Sequence, residues 1–276
     1  MARCAIILFL FLTKAFGFAA AEAQQAAQPA PDVAHVPLTA WMSSRPHVSA
    51  DSLADMRLDP ISRERFAETL RRVLQEDWAR ALPLAKRIGY EVAILEDGNL
   101  HYTLLQEDLP RGIGPTVVIS HQPRRNVIAQ APHASFETGT SEQAATLMGL
   151  LGFRAAILSG AHRCASRTFV ECRGHTTVCG DRPGSPYRTS DTAHSPQTLF
   201  HIAHLTLIEA WPQVKAISLH GMRKRGETLA VISDGSRAVE SAQQSTVGTI
   251  RNEFRRLIGQ GGGGVYSCND SEDARA

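Results

Sequence analysis

Three residues in the second half of the chain carry the donor atoms of a hydrolytic metal site. His133 and Glu137 stand four positions apart in Pro132-His133-Ala134-Ser135-Phe136-Glu137-Thr138-Gly139, and His220 stands in Leu219-His220-Gly221. Two imidazoles and a carboxylate, with a fourth position open, are the ligand set of a zinc ion that lowers the pKa of bound water to about 7. Each residue also has a plainer reading. Either histidine is then hydrogen-bonded at a strand end, and Glu137 is a first-turn carboxylate favoured by the helix dipole. The metal reading rests on the three together, with Gly139 and Gly221 leaving room beside them.

For these residues to meet, the segments before them must be strands of one sheet. Asn126–Ala131 runs into His133 and Val214–Leu219 into His220, and in open α/β sheets ligands bind beyond the carboxyl ends of strands. Thr116–Ser120, Phe153–Ser159 and Leu229–Ser233 read as further strands. Thr140–Gly152 reads as a helix with a Thr140-x-x-Gln143 capping box and a terminal glycine, and further helices span Ser195-Pro196 to about Ala210 and Ala238–Ile258. Upstream, Asp59-Pro60 opens a helix with Phe66, Leu70, Val73, Leu74 and Trp78 on one face. Tyr90 to Leu105 holds two β-prone stretches around the turn Glu96-Asp97-Gly98-Asn99. Alternation of this kind predicts an α/β sandwich around a mixed, largely parallel sheet.

The 276 residues are 43% hydrophobic and 20% charged, which suits one globular domain with extensions. With 29 Lys+Arg against 27 Asp+Glu the formal net charge is +2, and no basic run exceeds Arg223-Lys224-Arg225, so nucleic acid is not the expected partner. Neither a GxSxG elbow nor a GxxxxGK[ST] loop is present, which disfavours serine hydrolysis and phosphate-loop chemistry. Residues 1–23, with Arg3 near the start, an apolar run from Cys4 to Leu12 and small residues at Ala21-Glu22-Ala23, read as a signal peptide. The expected location is secreted or periplasmic, with no stable membrane anchor after cleavage. Residues 24–58 lack a sustained period and read as a linker or loosely attached arm, leaving 59–276 as the domain. Without Cys4, four cysteines remain: Cys164, Cys172, Cys179 and Cys268. In an exported chain they predict two disulfides with three possible pairings, and Cys172 and Cys179 are close enough to clip a local loop. The polar loop from Cys164 to His194 is placed to wall a site.

The motifs HASFETGTSE, SGAHRC, SDTAHSPQTLFHIAH and ISLHG resemble, over roughly residues 115 to 235, those of the zinc-dependent peptidase and amidohydrolase group. That group contains the metallocarboxypeptidases, the phage-type poly-gamma-glutamate hydrolases and the N-formylglutamate amidohydrolases. The resemblance implies a three-layer sandwich, Zn2+ on His133, Glu137 and His220, and attack of an activated water on an amide. The substrate class would be small anionic or peptide-like: a peptide, an acylated amino acid or a glutamyl polymer. Similar enzymes hold a substrate carboxylate with an arginine at the position of Arg163, and a planar guanidinium suits a bidentate grip. Arg188 is a second candidate for that task, and for both a structural salt bridge is the alternative. His194, His201 and His204 form a further cluster, read as a helix face with ligation as the alternative.

The pattern also departs from the family. Relatives carry the acid/base glutamate on a late strand, and none follows Leu229–Ser233 here, so Asp234, and after it Glu240, are the candidates for proton transfer. The expectation that follows is a chain shortened at its C-terminus relative to the family. A rival expectation follows, an exported protein that keeps the fold and the metal and does no chemistry.

Overall fold

The computed structural model describes residues 29–45, 48–53, 55–109, 111–171, 174–223, 226–235, 245–258 and 264–267. Seven strands pair side by side as β1 (Asp32–His35), β2 (Tyr90–Asp97), β3 (Leu100–Glu107), β4 (Thr116–Ser120), β6 (Phe153–Leu158), β5 (Arg125–Ala131) and β7 (Lys215–Ser218). The sheet is mixed. β1 on β2, β5 on β6 and β5 on β7 are parallel, and the three central pairings are antiparallel.

Consecutive strand residues divide between two cores, as a side-chain period of two requires. Leu105, Val117, Ile128, Ala155 and Ile157 face one way, toward α2 (Pro60–Leu74), α3 (Trp78–Arg87) and α5 (Leu199–Ala210). Leu104, Val118, Ala129, Ala156 and Leu158 face the other way, toward α1 (Leu38–Ser43) and α4 (Thr140–Leu151). Helices therefore cover both faces, and the architecture is an α/β sandwich.

The hairpin expected around Gly98 is the β2–β3 pair. Asp59 caps α2 by accepting from Ser62 N at 3.0 Å. Three local expectations are corrected. Trp78 starts α3 rather than ending α2, because Glu76 takes a positive φ of 53° and stops the helix. α4 has no capping box. Its N-cap is Gly139 in the left-handed region, and Thr140 Oγ1 donates to Glu137 O instead. α5 begins at Leu199, since the residues from Ser195 form a turn in which Thr198 Oγ1 donates to Ser195 O at 2.9 Å.

The expected loose arm is largely built into the fold. β1 adds a parallel edge strand beside β2, Leu38 and Met42 of α1 are buried against the α4 face, and Met56 is buried against Ala161 and Ala165. A four-residue strand and a six-residue helix are too short to show a period, so their burial was not legible from spacing.

β8 (Thr228–Ile232) and β9 (Gly264–Ser267) pair in parallel as a separate two-stranded sheet, with α6 (Thr246–Ile258) between them in sequence. β9 reads Gly-Val-Tyr-Ser and carries no glutamate. The signal segment 1–23, Cys172, Cys268, Glu240 and the first part of the expected last helix lie outside the described residues. No helix among the described residues is long and apolar enough to cross a membrane.

Candidate metal centre

β5 delivers His133 two residues beyond its carboxyl end, and β7 delivers His220 two residues beyond its own. These strands are neighbours in the sheet, so their ends open on the same edge. A single turn follows His133, in which Glu137 N donates to His133 O at 2.8 Å and brings the carboxylate back over the imidazole. Ligand atoms of His133, Glu137 and His220 all lie within 4.8 Å of one another, a group able to hold a metal ion. The two imidazole rings stand 5.0 Å apart edge to face. Glu137 Oε1 is 2.9 Å from His133 Nδ1, and Glu137 Oε2 is 3.2 Å from His220 Nδ1. His133 and Glu137 are buried, whereas His220 is 44% exposed and gives the group an open side.

Gly221 is required here by contact. Its N–H donates to Glu137 Oε2 at 3.0 Å, and a Cβ on it would stand 3.0 Å from Glu137 Cβ.

Asp191 completes the centre, and sequence spacing did not single it out. It lies 58 positions from His133, and nothing in residue type distinguishes it from a loop carboxylate. In the structure it is 2% exposed and accepts from His133 Nε2 at 2.8 Å and from His194 Nδ1 at 2.9 Å, while Arg163 Nη2 pairs with its second oxygen. Burial acts to raise the Asp191 carboxyl, but the bonds from His133 and His194 and the charge of Arg163 outweigh it and hold the group well below the usual range. Glu137 behaves alike: burial raises it, hydrogen bonds from His133 and His220 lower it further, and it settles at about 2. Burial lowers His133, yet its bonds to Asp191 and Glu137 prevail and raise it. With a carboxylate at each ring nitrogen the protonated ring is favoured, and a cation bound at Nδ1 would compete with a proton there.

No family model, curated protein or solved structure matches this chain. What the centre can do therefore rests on its own residues.

Arg163 belongs to the centre. Nη1 stands 3.5 Å from Glu137 Oε1, and the guanidinium carbon lies 5.6 Å from the centre of the Phe136 ring, which also packs on His162. Arg188 does not belong to it. Its guanidinium binds Asp181 through Nε and Nη2, Asp51 through Nη1 at 2.7 Å, and the carbonyls of Cys164 and Ser166, leaving it a structural lock on the loop and not a substrate grip. The same loop is tied by a Cys164–Cys179 disulfide, so the local Cys172–Cys179 clip is not formed.

His201 and His204 lie on α5 as expected and are absent from the convergent group. His204 Nδ1 is 2.6 Å from the Gln130 amide, and burial lowers both imidazoles. His194 stacks on Tyr187 at 3.6 Å and reaches the centre only through Asp191. Asp234 is exposed just beyond β8, in the separate sheet, and is not one of the converging residues.

Proposed function

We propose that the chain is an exported zinc-dependent hydrolase of amide bonds, related to the zinc peptidase and amidohydrolase group. One observation carries this reading: two imidazoles and a carboxylate from separate segments converge within 4.8 Å, with one side open and with Asp191 behind His133. Zinc prefers this mixed nitrogen and oxygen donor set, and when bound it supplies the Lewis acidity that activates water toward a carbonyl. The chain's own residues do the rest. Asp191 fixes the orientation of His133. Arg163 keeps one nitrogen on Asp191 and turns the other from Glu137 to an anionic group of the substrate. The Cys164–Cys179 disulfide and the leader 1–23 favour an oxidising, exported setting.

The rival, a binding protein with the same centre and no turnover, is favoured by the proton-transfer group. β9 carries no glutamate, and Asp234, exposed just beyond β8, is not in the group of possible ligands formed by His133, Glu137 and His220.

The deciding measurement is the metal content of the purified chain from residue 24 onward, beside His133→Ala and Glu137→Ala, with circular dichroism as the check on folding. About one zinc per chain, lost in both variants, supports the centre. A folded wild-type chain that takes up no zinc overturns it. Release of product from peptides, acyl-amino acids or glutamyl polymers then separates the hydrolase from the binding protein.

A further inference from the structure

In the outer strands of the sheet, register sets a histidine on each side of a carboxylate. His35 on β1 pairs with Glu96 on β2, and Glu96 pairs with His101 on β3. Residues paired across neighbouring strands share a face, so the three side chains form one row. Glu96 Oε2 is 3.1 Å from His35 Nδ1, and Glu96 Oε1 is 3.8 Å from His101 Nε2. The donor atoms thus follow in the order N, O, O, N. The row lies at the opposite end of the strands from the first centre. Ala131, which closes β5, pairs with Leu158, and Leu158 with Thr116 at the start of β4, whereas His121 beyond the end of β4 donates its N–H to His101 O at 3.0 Å.

Further contacts distinguish the row from a surface ion pair. Gln122 holds the His101 ring: its Oε1 accepts from His101 N at 3.2 Å and its amide nitrogen is 3.2 Å from His101 Nδ1, so Nε2 is the nitrogen turned toward Glu96. A fixed outer partner of this kind orients a histidine ligand. Glu96 Oε1 and His101 Nε2 are too far apart to hydrogen-bond. Two donors each about 2 Å from one ion stand about 3–4 Å apart. A cavity of about 360 Å3 lined by His35, Val36, Pro37, Glu96, Asp97 and Gly98 opens beside two of the three donors. Among the described residues only His133, Glu137 and His220 have ligand atoms all within 4.8 Å of one another, so this second group closes when the His35 ring, 75% exposed, turns over the carboxylate.

We propose that His35, Glu96 and His101 form a second divalent-metal site, of the tetragonal nitrogen and oxygen kind that suits Cu2+. Two imidazoles flanking both oxygens of one carboxylate supply four donors in a single row, a flatter set than the tetrahedron that zinc takes. The inference is independent of the hydrolase reading. Its consequence is structural. β1 has four residues and pairs with β2 alone among the described residues, and an ion shared by β1, β2 and β3 pins that arm to the sheet.

The test is titration of the zinc-loaded chain from residue 24 onward with Cu2+, for the wild type, His35→Ala, Glu96→Gln and His101→Ala, read by electron paramagnetic resonance. All three side chains are partly exposed, so the variants are expected to fold. One Cu2+ per chain with hyperfine coupling to two nitrogens, bound at least tenfold more weakly in each variant, supports the site. No nitrogen-coordinated Cu2+ at one equivalent, or less than tenfold weakening in any one variant, overturns it. Cu2+ should also slow amide hydrogen exchange of Asp32–His35, and equal exchange with and without it overturns the pinning of β1. Zinc content measured on the same samples is expected to be unchanged, and copper taken up only as zinc leaves belongs to the first centre and overturns the site as well. A chain that holds no zinc still gives the copper result, so failure of the hydrolase reading and failure of this site are read separately.

Discussion

Nε2 of His133 lies 2.8 Å from Oδ1 of the buried Asp191, on the opposite side of the ring from Glu137. A carboxylate in that place keeps the proton on Nε2 and leaves Nδ1 for a cation, the usual division of labour at a histidine ligand. Asp191→Asn retains an acceptor but loses the charge that also balances Arg163. It is expected to weaken zinc binding by about 10–100-fold while leaving one site per chain at excess zinc. Competition against a chelator reads the affinity, and an unchanged value would show that His133 is oriented without Asp191.

The same contacts fix how the metal-free protein responds to pH. Glu137 is lowered from 4.5 to about 2 by its hydrogen bonds against the opposing effect of burial, and Asp191 is lowered as well. A lowered carboxyl contributes stability above its unfolded value that disappears as pH falls toward its folded one. His133 is raised above 6.5, so its contribution is complete below that value and disappears as pH rises through the folded one. Stability of the metal-free chain should therefore be greatest between roughly pH 4.5 and 6.5. Urea midpoints at pH 3, 5.5 and 8 check this. Glu137→Gln should flatten the acid side, and a midpoint at pH 3 equal to that at pH 5.5 would contradict the assignment.

Apart from β1, the sheet was legible because turn signals separate its β-prone segments, and β4 spans the same residues that the pattern marks. His133, Glu137 and His220 were legible because each follows a strand end. Asp191 and the roles of the arginines were not. A loop carboxylate shows its importance only through its partners, and Arg188 finds one of them 137 positions away, in a segment that reads as an unattached arm. Cysteine count predicts disulfides but not which thiols the chain path brings together, and the path brings Cys179 to Cys164.

The assignment of Arg188 as a lock has its own test. Arg188→Met leaves Asp181 and two buried carbonyls without their donor. The expected loss is about 2–3 kcal/mol, less than for a fully buried pair because Asp51 is half exposed. Zinc affinity should hold. Chemical denaturation gives the first quantity and chelator competition the second, and a loss of zinc without a loss of stability would return Arg188 to the site.

Two glycines beside the ligands should fail in different ways when changed to alanine. At Gly221 the added Cβ would lie 3.0 Å from Glu137 Cβ and 3.4 Å from its Cγ, so Glu137 must give way by a few tenths of an ångström. Ligand geometry tolerates little displacement, and Gly221→Ala is expected to lower zinc affinity about tenfold with little change in global stability. At Gly139 no atom lies within 4 Å of an added Cβ, but φ is +89°, a conformation that L side chains rarely adopt. Gly139→Ala should therefore cost about 1–2 kcal/mol of stability and leave zinc affinity near that of the wild type. Thermal unfolding and chelator competition on both variants separate the cases. If Gly221→Ala binds zinc as tightly as the wild type, the close packing of Gly221 on Glu137 does not set the position of the ligand.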